Sequence, residues 1–401
     1  MASKLNSKTD VILLLYNFTV IVVACAVLIV GFAKLWKWLT TRADMFDRIV
    51  IGVAYGLIEK LDLTIIRTRM RSRPRTLSNF VDGYRNIGYV LMELDKPRNQ
   101  AYEEAAKQVF LSSSPKQGSN TVTWLDIGTG PRMFLSQMLL KNPTTKHVHA
   151  VEANTNSYEQ ATNLQQATAI LKEKITLHQG FSSSIDWGKC DSAPTAIIHD
   201  VLGTISTDEG CLKILRETMA TFKNVSLCIP HEFGTLCIPV SRPKVGLLSS
   251  IFSRLFGGTP NISDGIGVQL LFNPPKKVTL CTSAQFVERF ESTNIPADDL
   301  LSKTIQFTAE NIHETEFAGF YLAAYVLTAK NLEDGKGIIN GFTQNTNWGV
   351  KYVSLVDNSN KIKVKKGDKI ELCFETDLTH GFPIYRFKAS VNDIHLPVLE
   401  I

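Results

Sequence analysis

WLDIGTGPRMFLSQMLLKNPTTKHVHAVEAN, residues 124–154, is the stretch whose reading decides the fold of this chain. Trp124–Ile127 is a short apolar run interrupted only by Asp126, which predicts a buried strand. Gly128 and Gly130 follow, and glycine tolerates turn dihedrals that are closed to residues carrying a Cβ. Pro131 suits the first turn of a helix whose apolar positions Phe134, Leu135, Met138 and Leu139 repeat at helical spacing. His147–Ala153 reads as the next strand, with Glu152 at its carboxyl end. Strand, glycine turn, helix and strand, closed by an acid, would seat a nucleoside over the turn and a ribose hydroxyl on the acid. The plainer alternative is a strand–loop–helix corner with no ligand, against which Glu152 in register weighs.

The dinucleotide fingerprint asks for a third glycine three positions after the second, to admit a pyrophosphate, but Met133 stands there. The pattern apolar-Asp-x-Gly-x-Gly instead resembles the first motif of class I methyltransferases, which implies S-adenosylmethionine as cofactor. Downstream, Ile175–Gln179, Pro194–Val201 and Asn224–Pro230 predict further strands with helical stretches between them, hence a doubly wound, mostly parallel sheet. Ligands on such sheets sit at the carboxyl ends of strands. The fourth strand ends in IIHDVLGTISTDEG, which carries Asp200 and, nine residues later, Glu209.

At this point the resemblance becomes specific. The Asp200–Glu209 segment resembles the acidic-pair loop of protein arginine methyltransferases, whose two glutamates hold the acceptor guanidinium. FVDGY (80–84) and MELDKPRNQAY (92–102) resemble the helical cap of that family. Phe80 and Tyr84 match its paired aromatics, and Arg98 falls where the family sets an arginine against the cofactor's carboxylate. Thr346, Asn347 and Trp348 resemble its Thr-His-Trp loop, and the turn 365–368 resembles the barrel turn that follows. The resemblance spans roughly residues 79–401. It implies a Rossmann-like domain at 79–231 and a β-barrel substrate domain at 232–401, with a dimerisation arm, hence a homodimer, at 242–275. β-rich patterning from Thr235 to Val391 agrees with that division.

Carried over residue by residue, the resemblance makes Asp200 and Glu209 the catalytic acids. It makes Arg98, Asp126, Gly128, Gly130, Glu152 and Ser183 cofactor contacts, and Phe80, Tyr84 and the 346–348 loop substrate contacts. The residue types suit the chemistry: two carboxylates bind a guanidinium through charge-assisted bonds and concentrate its positive charge on the nitrogens that do not react. In-line displacement needs nucleophile, methyl and sulfur held in register. Three positions depart from the pattern. Asp200 is one methylene shorter than glutamate, Asn347 replaces the loop histidine, and Ser183 stands where the family usually has a glutamate. Cofactor binding is therefore the firmer expectation. A methyltransferase with a small-molecule or lipid acceptor and a catalytically silent scaffold remain open.

The rest of the chain bounds these readings. Its 401 residues allow two domains plus attachments, and a net charge of +5 is too mild to imply nucleic acid. Seven scattered cysteines form no Cys-x-x-Cys pair, which predicts reduced thiols and no metal. Val11–Ala33 runs 23 residues without a charge, about 34 Å as a helix and enough to cross a bilayer. A cleaved signal peptide would be shorter. Lys34, Lys37, Arg42 and Arg48 outweigh Lys4 and Lys8, so a single-pass anchor over 1–38 would leave the remainder facing the cytosol. Residues 39–78 read as a basic juxtamembrane connector. Met45–Ile66 would be an amphipathic helix, and the arginines at 67–75 would favour anionic lipid or form a solvated linker.

Overall fold

Five parallel strands form the sheet on which the site is built: β2 (Val122–Ile127), β3 (Thr145–Glu152), β4 (Ile175–Gln179), β5 (Ala196–His199) and β6 (Leu227–Ile229). Their spatial order is β4-β3-β2-β5-β6, so the chain reverses direction of winding after β4 and returns to the other side of β2. That reversal opens a crevice at the carboxyl ends of β2 and β5. In this computed structural model the described residues are 52–53, 56, 61, 63–66, 81, 86–112 and 121–401, excepting 191, 256–257, 260, 311–314, 331, 333–334 and 381. The expected span Val11–Ala33, the arginines at 67–75, Phe80 and Tyr84 lie outside them. No helix among the described residues is long and apolar enough to cross a membrane. Gly52, Val53 and Gly56 are helical within a unit of their own, Met1–Leu57; the second unit is Ile58–Ile401.

Helices cover the parallel strands and account for their almost continuous burial. α1 (Asn86–Leu94) and α2 (Lys96–Ser112) precede the sheet, and α3 (Phe134–Leu140) follows the glycine turn. α3 starts three residues after Pro131, because Met133 at its N-cap is left-handed at φ 50° and cannot continue a helix backwards. α4 (Thr155–Ala167) follows β3, and α5 (Ala169–Lys174) leads into β4. In α6 (Cys211–Thr221), Cys211, Leu212, Ile214, Leu215 and Thr218 form one buried stripe at helical spacing.

The parallel sheet ends at Ile229, and β7 (Glu232–Val240) opens an antiparallel region. All nine residues of β7 are buried. It lies between the strand Gly319–Leu327 and β9 (Gln285–Glu291), and Gly319–Leu327 pairs on its other side with Val350–Ser354. A second antiparallel sheet, Leu300–Thr308, Lys369–Asp377 and Ile384–Val391, shares one apolar core with the first.

The connector is not helical to its end. Ile65–Ile66 form β1, antiparallel to β8 (Gly267–Phe272), so this piece of the 39–78 segment is a strand of the antiparallel sheet. α7 (Leu247–Leu255) lies over it. Ser249 Oγ and Ser253 Oγ accept the backbone N–H groups of Thr64 and Ile66 at 3.1 and 2.9 Å. By satisfying β1 with its serines, α7 turns Leu247, Leu248 and Leu255 outward, at 77, 57 and 53 % exposure.

Candidate active site

Asp126 anchors the glycine turn from behind. Its Oδ2 accepts Thr129 Oγ1 at 2.7 Å, Ser136 Oγ at 2.6 Å and Ser136 N at 3.1 Å, tying the turn to α3. Burial pushes its carboxyl up to about 6, against those three bonds. Asp126 is wholly buried and does not line the cavity in front of the turn. The cofactor-contact role expected for it is a bracing role. Gly128 and Gly130 adopt φ 74° and 70°. A Cβ at Gly130 would also lie 3.0 Å from the Tyr89 ring, so that position demands glycine twice over. Gly130 N donates to Glu152 Oε2 at 2.8 Å, and Asn154 N donates to Glu152 Oε1 at 2.7 Å. The acid closing the motif is thus set against the turn, and burial raises its pKa.

The cavity at these carboxyl ends has a volume of about 1020 Å³ including the space at its mouth. Arg98, Gly128, Gly130, Glu152, Asp200 and Glu209 all line it, drawn from α2, the turn, β3 and the loop after β5. Ser183 does not: it is exposed, whereas its neighbours Phe181 and Ser182 form that wall. The reason is the single 3-10 turn Ser182–Ser184, which points successive side chains in different directions.

Arg98 and Asp200 form the electrostatic centre of the cavity. Arg98 Nε and Nη2 contact Asp200 Oδ2 at 2.6 and 2.5 Å, and both side chains are at most 5 % exposed. Arg98 Nη1 also donates to Asn99 Oδ1 at 2.7 Å and to the Met92 carbonyl at 3.2 Å. Among the described residues, four of the five guanidinium N–H donors have partners and one on Nη2 does not. Burial alone would lower the Arg98 pKa; the adjacent Asp200 carboxylate outweighs it and raises the value. For Asp200, burial raises the pKa and Arg98 opposes the rise. Its Oδ1 receives only a long 3.4 Å approach from Tyr102, whose hydroxyl donates at 2.9 Å to the His199 carbonyl.

The 346–348 loop stands outside the cavity. Thr346 and Trp348 are buried, and Trp348 belongs to the core of the parallel-sheet domain. Asn347 contributes its backbone: its N–H donates to Asp95 Oδ2 at 2.7 Å, while Asp95 Oδ1 accepts Arg98 N at 3.0 Å. Burial raises Asp95 to about 6. Thr204 Oγ1 donates to the Trp348 carbonyl, so this loop holds up the acidic segment from behind. The loop's bonds to Asp95 and Thr204 run through its backbone N–H and carbonyl, and none of Thr346, Asn347 and Trp348, expected as substrate contacts, lines the cavity.

Further fastenings hold the segment between Asp200 and Glu209. Glu288 on β9 is a buried carboxylate that accepts Ser206 Oγ at 2.9 Å, Thr235 Oγ1 at 2.6 Å and Thr207 Oγ1 at 2.9 Å. The next acid, Asp208, pairs with buried Lys351. Sequence reading passed over Asp95, Tyr89, Lys351 and Glu288. Glu288 stands in QFVERFE, where a register shift sets it opposite Thr235 and Phe286 opposite Leu236, so simple alternation along the strand does not reveal its inward direction.

No protein-family model matches the chain, and no curated protein matches it either. Solved structures do. Protein arginine methyltransferase 10 of Arabidopsis thaliana, in a uniquely open conformation, superposes with a TM-score of 0.58 at 15 % identity, over 81 % of this chain and 98 % of that one. The Trypanosoma brucei PRMT1 enzyme–prozyme heterotetrameric complex with AdoHcy gives 0.59 at 14 % identity, over 79 % and 98 %. The chain shares its fold with protein arginine methyltransferases. Identity this low speaks for the fold and leaves chemistry to be argued from the residues.

Proposed function

We propose that the chain is an S-adenosylmethionine-dependent methyltransferase acting on arginine guanidinium groups of proteins. One observation carries the reading: a single cavity joins the glycine turn and Glu152 to Arg98, Asp200 and Glu209. The first set fits the nucleoside end of such a cofactor and the second fits its amino-acid end and a cationic acceptor. The Trypanosoma complex with AdoHcy supports the same cofactor class.

Bound S-adenosylmethionine supplies an electrophilic methyl group on sulfonium. Glu152, already turned toward the glycine loop, would take the ribose hydroxyls. The remaining Nη2 N–H of Arg98 would hold the carboxylate. Glu209 would bind the acceptor guanidinium and orient one nitrogen toward the methyl. Asp200 has its Oδ2 committed to Arg98, with Oδ1 turned elsewhere. The acceptor therefore meets less negative charge than two uncommitted acids would provide. That same commitment favours a second reading, in which the fold serves a less demanding acceptor, such as a small molecule or lipid, or binds cofactor without turnover.

The test has two stages. S-adenosylhomocysteine titrated calorimetrically into the full-length chain should bind, and Glu152→Ala should abolish binding. Labelled methyl transfer to arginine-rich peptides should then proceed and be lost in Glu209→Gln. Turnover on arginine that survives Glu209→Gln overturns the catalytic assignment, and binding without transfer to any peptide favours the second reading.

Two attachments complete the proposal. The uncharged span Val11–Ala33 supports a single-pass anchor with the catalytic part facing the cytosol, which resistance to alkaline extraction and its loss on deleting residues 1–38 would test. The outward leucines of α7 support pairing with a second copy through this arm.

A further inference from the structure

Away from the cavity, β3 and β4 carry an unusual group of donors. Their parallel register sets His149 opposite Thr176 and His178 opposite Val151. The short turn Trp187–Lys189 then brings Cys190 to the same place. One donor atom from each of His149, His178 and Cys190 lies within 4.8 Å of the others. None of the three lines the cavity.

The hydrogen bonds assign the protons. His149 Nε2 lies 2.9 Å from the Ser192 carbonyl, which can only accept, so Nε2 carries the proton. Nδ1 therefore presents a lone pair, and His178 Nε2 lies 3.1 Å from it. A backbone carbonyl on the far nitrogen of an imidazole is the arrangement that orients metal-bound histidines. Trp187 shields the group, with ring centroids 5.8 Å from His149 and 5.0 Å from His178.

We propose that His149 Nδ1, His178 Nε2 and Cys190 Sγ form a binding site for a Zn²⁺ ion, with a fourth position for water. Tetrahedral zinc, with bonds of about 2.0–2.1 Å to nitrogen and 2.3 Å to sulfur, separates its ligand atoms by roughly 3.3–3.6 Å. The 3.1 Å between the two nitrogens needs a few tenths of an ångström of widening, and the Cys190 side chain would close by up to about 1.2 Å from the 4.8 Å that bounds the group. Imidazole with thiolate is a donor set that suits zinc and excludes magnesium or calcium. Without the ion, His178 Nε2–H donates to His149 Nδ1. On binding, that proton moves to His178 Nδ1 through solvent, and the Cys190 thiol proton is released, one proton per ion. The ion would clamp β3, β4 and the turn Trp187–Lys189 with Cys190 together. Trp187 Nε1 donates to the Ser182 carbonyl at 2.8 Å, and Ser182 lines the cavity, so the clamp would stiffen one cavity wall.

The probe is Co²⁺, added to the tag-free, chelator-stripped full-length chain. Expected are saturation at a single equivalent, a sulfur-to-cobalt charge-transfer band with tetrahedral visible bands, and displacement of all of them by Zn²⁺. Cys190→Ser should remove the charge-transfer band and weaken Zn²⁺ at least tenfold. Cys373→Ser, a cysteine on the strand Lys369–Asp377, should leave both unchanged. A charge-transfer band that persists in Cys190→Ser overturns the assignment, as does failure of the unsubstituted chain to bind either ion at micromolar concentration.

Discussion

Replacing Asp200 by asparagine tests the central ion pair of the cavity. Both partners are at most 5 % exposed, and Arg98 makes two contacts of 2.5–2.6 Å to one carboxylate oxygen. Removing the charge from one member of such a buried pair leaves the other charge uncompensated in a region of low polarity. The cost is about 3–5 kcal/mol. A folded domain is stable by roughly 5–15 kcal/mol in total, so Asp200→Asn should lower the urea midpoint markedly without altering the fold of what survives. The double substitution Arg98→Met with Asp200→Leu removes both charges and keeps the volume. It should lose less than either single substitution does, so the losses are far from additive. Equilibrium urea unfolding at pH 7, followed by fluorescence and circular dichroism, measures Asp200→Asn, Arg98→Met, Asp200→Leu and the double variant against the parent. A loss below about 1 kcal/mol for Asp200→Asn, or strictly additive losses in the double variant, would refute the reasoning. In the same preparations Arg98→Met should weaken S-adenosylhomocysteine about ten- to hundredfold, the value of one charge-assisted bond.

Other expectations follow from the same geometry. Gly130→Ala forces a side chain into φ 70° and against Tyr89; it should cost about 1–2 kcal/mol in urea unfolding and abolish S-adenosylhomocysteine binding by calorimetry, and retained affinity would contradict the close approach at the turn. Asp126 is raised in the folded state, so between pH 4 and 6 the native chain binds the proton more tightly than the unfolded chain, and this group's contribution to stability falls as pH rises. Unfolding titrations of Asp126→Asn should lack that downward component, and identical slopes in the two proteins would remove the argument. Glu288→Ala strands the donors of Ser206, Thr207 and Thr235; it should cost about 3 kcal/mol and reduce turnover more than cofactor affinity, whereas unchanged turnover would show that β9 does not position Glu209. Leu247→Glu with Leu248→Glu should convert a dimer to a monomer by light scattering, and an unchanged mass would rule out α7 as the arm.

Much of the fold was legible in local patterns. Ile175–Gln179 forms the expected strand to the residue, because both its ends are marked by a change from helical to alternating apolar spacing. The strand at β9 was missed, since Glu288 and Arg289 break its apolar run and only their partners across the sheet explain them. Ile65–Ile66 went unseen as a strand because two residues carry no period, and β1 exists only through its pairing with β8. Within the site, Gly130 and Glu152 stood out by residue type and spacing, and Arg98 by the resemblance to a family. The division of labour between cavity and support did not. Asp126, Ser183 and Trp348 have side chains that suit a site equally well, and their directions are set by packing.

The sequence by itself determined the glycine turn, the parallel order of elements around it and the acids at two strand ends, because these depend on backbone freedom and on periodicity over a few residues. Only the tertiary structure decided that Arg98 spends its charge on Asp200, that the 346–348 loop supports the site from behind, and that His149, His178 and Cys190 meet. These join residues from 12 to more than 250 positions apart. No local pattern encodes such a meeting. It follows from strand register and domain packing, which bring together groups whose chemistry depends on their neighbours.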